Sequence, residues 1–305
     1  MSKHVAVLMG GWSSEREVSL VSGAAIVHAL EERGYRVTAV DVQRDLEGLL
    51  VALTPRPDVI FNALHGRGGE DGTVQGILEF LNIPYTHSGV KASAVAMDKP
   101  MTKRLLASVG VPSPRGVVAT WQQLQTAELI PAPYVVKPTN EGSSVGIRII
   151  RAGDNRPPHD DSLSAETEVL IEEYIPGREL TVGVMDNEAL AVTEIRYKTE
   201  LFDYTAKYSP GYAVHQAPAD IPPDIARAVM RMAEQAHITL GCAGVSRSDF
   251  RWDDSRPGTE GLFFLEINTQ PGMTPLSLVP EQAAVRGLSF GELVSWMVEN
   301  ATCHA

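Results

Sequence analysis

The chain has 305 residues, which at about 150 residues per domain predicts two or three domains. Its 26 basic and 38 acidic residues give a net charge of −12, and this argues against a nucleic-acid-binding module, which normally carries a basic stripe. Hydrophobic residues make up 44% of the chain and charged residues 21%, so the chain can form real cores, and disorder, collagen and coiled coil are excluded.

The cysteine content and the hydropathy pattern indicate the compartment. Two cysteines, Cys242 and Cys303, cannot form a disulfide framework, and no Cys/His cluster has the spacing of a zinc site. Residues 1–11 lack the basic region and cleavage site of a signal peptide, and no apolar run reaches the about 20 residues that span a bilayer. We therefore expect a cytoplasmic protein without a membrane or nucleic-acid partner.

Strand and helix signals alternate over the first hundred residues. Ser14 and Glu17 have the spacing of a capping box at the start of the first helix, and Gly34 is expected to follow its end. The predicted elements are strands over residues 4–9, 37–42 and 59–64, and helices over residues 18–33 and 74–81. This order predicts βαβ units and a mostly parallel sheet.

The pattern changes near residue 97 and again near residue 185. Asp98 and Pro100 indicate a helix start, and Gly110 its end. Beyond it we predict short strands over residues 134–137, 146–150 and 169–173, a helix over 225–241, strands over 244–252 and 262–267, and a closing helix over 290–300. The chain therefore divides into three predicted subdomains, residues 1–97, 98–184 and 185–305.

Oxygen-bearing side chains alternate along the last two predicted strands. Glu266 and Asn268 share one face of their strand, because residues i and i+2 point the same way, and Arg247 and Asp249 have the same spacing. Carboxylate and amide oxygens are ligands suited to Mg²⁺. A solvated strand edge is the alternative, but the apolar run before Glu266 favours a buried site, where carboxylates need a counter-charge.

A glycine- and serine-rich segment, EGSSVG at residues 141–146, follows a strand that ends in Lys137. Glycine allows the backbone to approach phosphate oxygens, hydroxyls donate to them and lysine supplies charge. The segment is not a Walker loop, because no Gly-Lys-Ser/Thr follows, and an ordinary hairpin turn is the alternative. Gly10-Gly11 is not a GxGxxG motif, which argues against a nicotinamide-dependent oxidoreductase.

Two further loops can each be interpreted either as part of a functional site or as a segment without a binding role. Residues 271–278 lead from Asn268 into a helix whose free N–H groups suit a carboxylate or an oxyanion, although a simple connection is equally compatible. Residues 204–211, with two tyrosines and a lysine, lie in the long polar stretch 198–223. Loops of this length are lids or disordered, and this composition favours a lid.

Taken together, six segments resemble the D-alanine–D-alanine ligases of the ATP-grasp superfamily. In chain order they are residues 8–19 (LMGGWSSEREVS), 65–76 (HGRGGEDGTVQG), 97–99 (MDK), 136–146 (VKPTNEGSSVG), 206–208 (AKY) and 266–280 (EINTQPGMTPLSLVP). The resemblance covers nearly the whole chain. It implies an α/β ATP-grasp fold, with a Rossmann-like N-terminal subdomain followed by two α+β subdomains that sandwich ATP.

The resemblance also implies how ATP and metal ions are bound. Asp249, Glu266 and Asn268 match the ligands of two Mg²⁺ ions, for which Mn²⁺ can substitute. The residues that match ATP contacts are Lys99 and Lys137 at the phosphates, Ser143, Ser144 and Val145 in the loop over them, Glu172, Glu173 and Ile175 around adenine, Glu179 at the ribose and Lys207 at the γ-phosphate.

The implied reaction is the ATP-dependent ligation of two D-alanines, through a D-alanyl phosphate, for peptidoglycan synthesis by a homodimer. Glu15 matches the residue that binds the ammonium of the first D-alanine, and it would form a triad with Ser143 and Tyr208. The remaining matches are His65 beside the substrate pocket, Ser277 and the Leu278 backbone at the second carboxylate, and Arg247 and the Gly272 N–H at the oxyanion.

Two positions depart from the family pattern. His87 stands where a glycine is expected, and we interpret it as a tolerated surface substitution. The Pro-rich residues 152–164 replace a region that is usually helical. The rival functions are a D-alanine–D-lactate ligase and a nucleotide-binding regulator without catalysis. Lys207 and Tyr208 favour the dipeptide-forming enzyme, and a regulator would lack a metal ligand or Arg247, neither of which is missing.

Overall fold

The computed structural model of the chain describes residues 2–140, 146–154, 157, 163–197 and 213–304. Its N-terminal lobe is a parallel sheet in the order β2-β1-β3. The elements of this lobe are β1 (His4–Gly10), α1 (Arg16–Glu32), β2 (Arg36–Val42), α2 (Leu46–Ala52), β3 (Val59–Asn62) and α3 (Thr73–Phe80). The predicted parallel sheet is thereby confirmed.

The first helix starts differently from the prediction. The helix α1 begins at Arg16, and its N-cap residue is Glu15, which makes no capping hydrogen bond through its side chain. The capping box of Ser14 and Glu17 is therefore wrong, and the Glu15 side chain is buried instead. The end of the helix is as predicted, because Gly34 follows with a φ of +86°, a conformation that glycine adopts without steric cost.

Two helices and a four-stranded antiparallel sheet follow. The helices are α4 (Val90–Met97) and α5 (Lys99–Ala107), and α5 is capped by the Asp98 carboxylate, which accepts from the Met101 N–H at 2.9 Å. The sheet has the order β4-β7-β5-β6. Its elements are β4 (Gly116–Thr120), α6 (Trp121–Thr126), β5 (Tyr134–Pro138), β6 (Arg148–Ile150) and β7 (Glu168–Glu173).

The last part of the chain forms an antiparallel sheet in the order β10-β9-β8-β11-β12. Its strands are β8 (Arg178–Met185), β9 (Glu188–Tyr197), β10 (Ala213–Gln216), β11 (Val245–Trp252) and β12 (Leu262–Asn268). The amphipathic helix α7 (Pro223–Leu240) packs on this sheet, together with α5 and the apolar side of α4. None of the helices among the described residues is long and apolar enough to cross a bilayer.

The chain returns to its beginning after the last strand. The helices α8 (Leu278–Val285) and α9 (Phe290–Glu299) bring Val279, Leu293 and Val294 into the same core as Val5 and Val7 of β1. The sequence predicts α9 as a helix, but its amphipathic pattern does not say which core it joins. This packing ties the N-terminal lobe to the last sheet.

We expect Leu293→Ala to destabilise the N-terminal lobe as well as the C-terminal end. Leu293 is 0% exposed in the shared core, and a buried Leu→Ala substitution typically costs about 2–5 kcal/mol. Denaturant unfolding followed by circular dichroism measures the change. Leu276→Ala is the control, because Leu276 is 81% exposed, and a loss of similar size in both variants would contradict the packing of α9.

Candidate active site

A cleft opens between the four-stranded and five-stranded sheets. Val135, Ile149 and Leu265 contribute to its apolar lining, and charged side chains complete it. The predicted site residues that line the cleft are Lys137, Glu172, Glu173, Ile175, Glu179, Asp249 and Glu266. An apolar cleft with a few charged groups is the usual form of a small-molecule site.

The carboxylates of Asp249 and Glu266 lie on adjacent strands at one side of this cleft. Asp249 pairs with Glu266 across β11 and β12, and Arg247 pairs with Asn268. The register shifts after Asp249, and this bulge allows the consecutive residues Leu265 and Glu266 both to line the cleft. The two predicted i,i+2 pairs therefore converge on one place.

Positive side chains of the same chain neutralise these carboxylates. Arg247 donates to both oxygens of Asp249, at 2.9 and 2.8 Å, and the Thr181 hydroxyl donates to Asp249 Oδ1 at 2.6 Å. Lys99 Nζ lies 3.4 Å from Glu266 Oε2. Thr181 and the ion pair between Lys99 and Glu266 connect distant parts of the sequence, and no local motif indicates them.

The donor set at this place fits magnesium. Two carboxylates and the amide oxygen of Asn268 are hard oxygen ligands, and Asn268 Oδ1 also accepts from the Gln270 N–H at 2.7 Å. No three His, Cys, Asp or Glu side chains converge anywhere in the described residues. A metal here would therefore depend on the amide and on oxygens from its substrate.

A second group of charges surrounds Glu172, which is only 1% exposed. Lys137 Nζ lies 2.8 Å from Glu172 Oε2, and Lys103 forms an ion pair with the other oxygen. The sequence analysis did not identify Lys103. Its spacing of four residues from Lys99 on α5 is the signal that could have found it, because such residues share one helix face.

Glu179 also lines the cleft, where it contacts a tyrosine and an arginine. The Tyr197 hydroxyl donates to Glu179 Oε1 at 3.1 Å, and an Arg251 nitrogen lies 3.7 Å from Oε2. Burial and the negative charge of Glu179 raise the pKa of Tyr197 well above its usual value, so Tyr197 remains a donor. Arg251 also donates to the carbonyl oxygen of Ile175 at 3.1 Å, which anchors the strand connection beside the cleft.

Glu15 lies beside the backbone of the segment that carries His65 in the N-terminal lobe. A β-carbon added to Gly66 would stand 3.0 Å from Glu15 Oε2, and the Ser13 hydroxyl donates to the His65 carbonyl oxygen at 2.7 Å. His65 is buried, with Glu70 Oε1 3.0 Å from Nδ1 and the Ser22 hydroxyl 3.3 Å from Nε2. Both ring nitrogens are engaged, which favours an orienting role for His65.

The segment before α8 places Gly272 against Ser277. Ser277 is the N-cap residue of α8, and Leu278 is the first helical residue. A β-carbon on Gly272 would stand 3.3 Å from the Ser277 hydroxyl, which accepts from the Thr274 N–H at 3.0 Å. A helix start offers N–H groups without partners in the helix, so this turn suits an anion.

Several predicted residues lie outside the described part of the chain. They are Ser143, Ser144, Val145, Lys207 and Tyr208. The phosphate loop, the lid and the triad of Glu15 with Ser143 and Tyr208 therefore stay predictions. The same holds for most of residues 152–164.

His87 is not at the surface, and that prediction was wrong. The side chain is 3% exposed, and its ring packs edge-on against Phe61 with 5.8 Å between ring centres. Burial lowers the pKa of His87 to about 4, so the ring is neutral at pH 7. Its φ of +70° explains why a glycine suits this position.

Comparisons with known proteins cover both halves of the chain. A family profile described as "D-ala D-ala ligase N-terminus" matches residues 4–56 and 47–88, and one described as "D-ala D-ala ligase C-terminus" matches residues 116–299. The D-alanine–D-alanine ligase of Parvibaculum lavamentivorans is 56% identical over 99% of this chain and 98% of its own length. That of Granulibacter bethesdensis is 52% identical over 99% of both chains.

Solved structures show the same fold. The D-alanine–D-alanine ligase of Bacillus anthracis superposes with a TM-score of 0.82 at 31% identity, covering 98% of this chain and 97% of that one. The same enzyme complexed with ATP gives a TM-score of 0.80 at 30% identity. The VanG D-Ala:D-Ser ligase of Enterococcus faecalis gives 0.78 at 27% identity, covering 98% of this chain. With both profiles matched and close relatives aligned from end to end, this chain belongs to the D-alanine–D-alanine ligase family.

Proposed function

We propose that this protein joins two molecules of D-alanine into D-alanyl-D-alanine, with ATP converted to ADP and phosphate, for peptidoglycan synthesis. The observation that carries the proposal is the cleft between the two antiparallel sheets, where lysines and carboxylates face each other. It occurs in a chain that is more than half identical, along its whole length, to ligases of this kind.

ATP would bind in this cleft with its base against the apolar lining. Glu172 and the backbone of Glu173 and Ile175 would recognise adenine, and Glu179 would bind the ribose hydroxyls. Lys99 and Lys137 would face the phosphates. Both lysines now pair with carboxylates, so a phosphate would replace one negative partner by another.

Asp249, Glu266 and Asn268 would hold two magnesium ions. When bound, these ions would neutralise phosphate oxygens and favour attack at the γ-phosphorus. The rest of the reaction depends on positioning by the chain itself, as in other phosphoryl transfers.

The reaction would proceed in two steps. The carboxylate of the first D-alanine, held through its ammonium by Glu15, attacks the γ-phosphorus, and the bond to the ADP oxygen breaks. The amine of the second D-alanine, held through its carboxylate by Ser277 and the Leu278 N–H, then attacks the acyl carbon. Arg247 and the Gly272 N–H would donate to the oxyanion that forms there. Phosphate leaves and the dipeptide remains.

The subdomains of the chain agree with these separate binding roles. We propose three subdomains, as predicted, but with the second boundary moved from residue 184 to residue 177, because residue 184 lies within β8 of the last sheet. The first subdomain would bind the first D-alanine, and the other two would enclose ATP. We also propose that two copies associate as a homodimer.

Substrate choice tests the proposed function directly. We expect phosphate release from ATP to require Mg²⁺ and D-alanine, and dipeptide and phosphate to form in equal amounts. L-Alanine should give no turnover, and D-lactate paired with D-alanine should give little depsipeptide at pH 8. Equal turnover with L-alanine or with D-lactate alone would show that the assigned substrate is wrong.

The metal site predicts the effect of Glu266→Gln. Removing an outer hydrogen-bond partner of a metal ligand costs about 10–100-fold in activity, so loss of a ligand itself should cost more. We expect turnover to fall by more than this range of about 10–100-fold, while the melting temperature changes little. Glu260→Gln is the control, because Glu260 is exposed ahead of β12. Near-normal turnover of Glu266→Gln at saturating Mg²⁺ would exclude Glu266 as a ligand.

The buried lysine predicts the effect of Lys103→Met. Without Lys103, Glu172, which is proposed to recognise adenine, would depend on Lys137 alone. We expect the KM for ATP to rise about tenfold, equivalent to about 1.4 kcal/mol, with little change in the KM for D-alanine. The control is Lys91→Met on the exposed side of α4. An unchanged KM for ATP would contradict this role.

A further inference from the structure

Gln270 lies between two parts of the proposed reaction site. It follows the proposed metal ligand Asn268 by two residues and precedes Gly272, whose N–H is a proposed oxyanion donor, by two. Its own N–H donates to Asn268 Oδ1 at 2.7 Å, and its side chain is 1% exposed. The resemblance assigns no role to this glutamine.

Within the described part of the chain, every hydrogen bond of the Gln270 side chain reaches the N-terminal lobe, about 200 residues earlier. The amide nitrogen donates to the carbonyl oxygens of Leu64 and Gly69, at 2.7 and 2.9 Å. The amide oxygen accepts from the side chains of Asn62 and Gln75, the latter at 3.1 Å. Because the amide group is planar, four bonds at its two ends leave it one orientation.

Two partners of Gln270 lie close in sequence to the site proposed for the first D-alanine. Leu64 and Gly69 flank His65 and Gly66, and Gly66 is the residue against which the Glu15 carboxylate lies. Gln270 therefore connects two segments with different tasks. One packs against Glu15, the residue proposed to hold the first D-alanine, and the other carries the proposed oxyanion donor for its acyl phosphate.

We propose that Gln270 is a positioning residue, which holds the segment from Asn268 to Gly272 in a fixed alignment with the first D-alanine site. The proposal rests on the proposed function and deepens it. The acyl phosphate would form against the N-terminal lobe. The hydrogen bonds of the Gln270 side chain would keep the oxyanion donors of the C-terminal lobe beside it. Gln270 itself does not contact the reacting atoms.

Loss of this alignment between the two segments would affect the second step of the reaction and not the first. The acyl phosphate would still form, but attack by the amine would slow because the oxyanion donors would be displaced. Water would then compete at the phosphorus, where no acyl oxyanion forms: its oxygen bonds to phosphorus, the bond from phosphorus to the acyl oxygen breaks, and D-alanine and phosphate are released. Phosphate would exceed dipeptide. A loss of stability alone would lower both products together.

The test compares Gln270→Met with Gln282→Met, because methionine preserves the length of the side chain without its amide. Gln282 is a matched control: it is 0% exposed, and its amide bonds to Gly183, Thr181 and Thr193 all lie within the five-stranded sheet. Phosphate and dipeptide are measured with ATP, Mg²⁺ and D-alanine, well below the melting temperature of each variant. Asn62→Ala, which removes one donor to Gln270 together with the bonds of Asn62 to Gly69 and Leu64, is the second variant if Gln270→Met does not fold.

We expect equal phosphate and dipeptide from the unaltered protein and from Gln282→Met. Gln270→Met should release at least three times more phosphate than dipeptide, with its kcat for dipeptide lowered about tenfold and its KM for ATP within twofold. Asn62→Ala should shift the ratio in the same direction by less. Equal products and a kcat within twofold in the Gln270 and Asn62 variants would overturn the role of Gln270 alone. An unaltered protein that makes no dipeptide would overturn the proposed function, and this role with it.

Discussion

The cleft between the two antiparallel sheets depends on the neutralisation of buried carboxylates by cations of the same chain. A carboxylate shielded from water is stable as an ion only when it has a charged or hydrogen-bonded partner. The buried Asp249 pairs with Arg247, the partly buried Glu266 pairs with Lys99, and the buried Glu172 pairs with two lysines. Under the proposed function, the charged side chains would exchange partners when a nucleotide and its metal ions enter. The lysines would then pair with phosphates, and the carboxylates would bind metal ions. Such an exchange avoids a state in which buried charge is left unpaired.

This balance requires three parts of the chain to remain in place. Lys99 comes from a helix ahead of the central sheet, Glu172 from the central sheet itself, and Glu266 from the last sheet. The shared core of β1 and α9 and the amide bonds of Gln270 join the last part of the chain to the first. The groups proposed to bind D-alanine and those proposed to bind ATP are thus held together by contacts that do not involve either ligand.

Much of the fold could be predicted from the sequence, because it follows from local rules. Alternating strand and helix signals predicted the parallel sheet, Asp98 and Gly34 predicted a helix start and a helix end, and i,i+2 spacing placed Glu266 beside Asn268. The boundary proposed from the sequence at residue 184 falls within strand β8, which pairs with β11 about 65 residues later. Strand patterns do not say which sheet a strand joins.

The sequence by itself determined the chemistry of the candidate site: which carboxylates, lysines and glycines the chain carries, and at what spacing. Only the tertiary structure decided their partners. It placed Lys103 on Glu172 and Tyr197 on Glu179, buried His87 in the core, and joined Gln270 to the N-terminal lobe. The physical reason is that spacing governs neighbours within one helix or strand, whereas these pairs are set by how whole elements pack against one another.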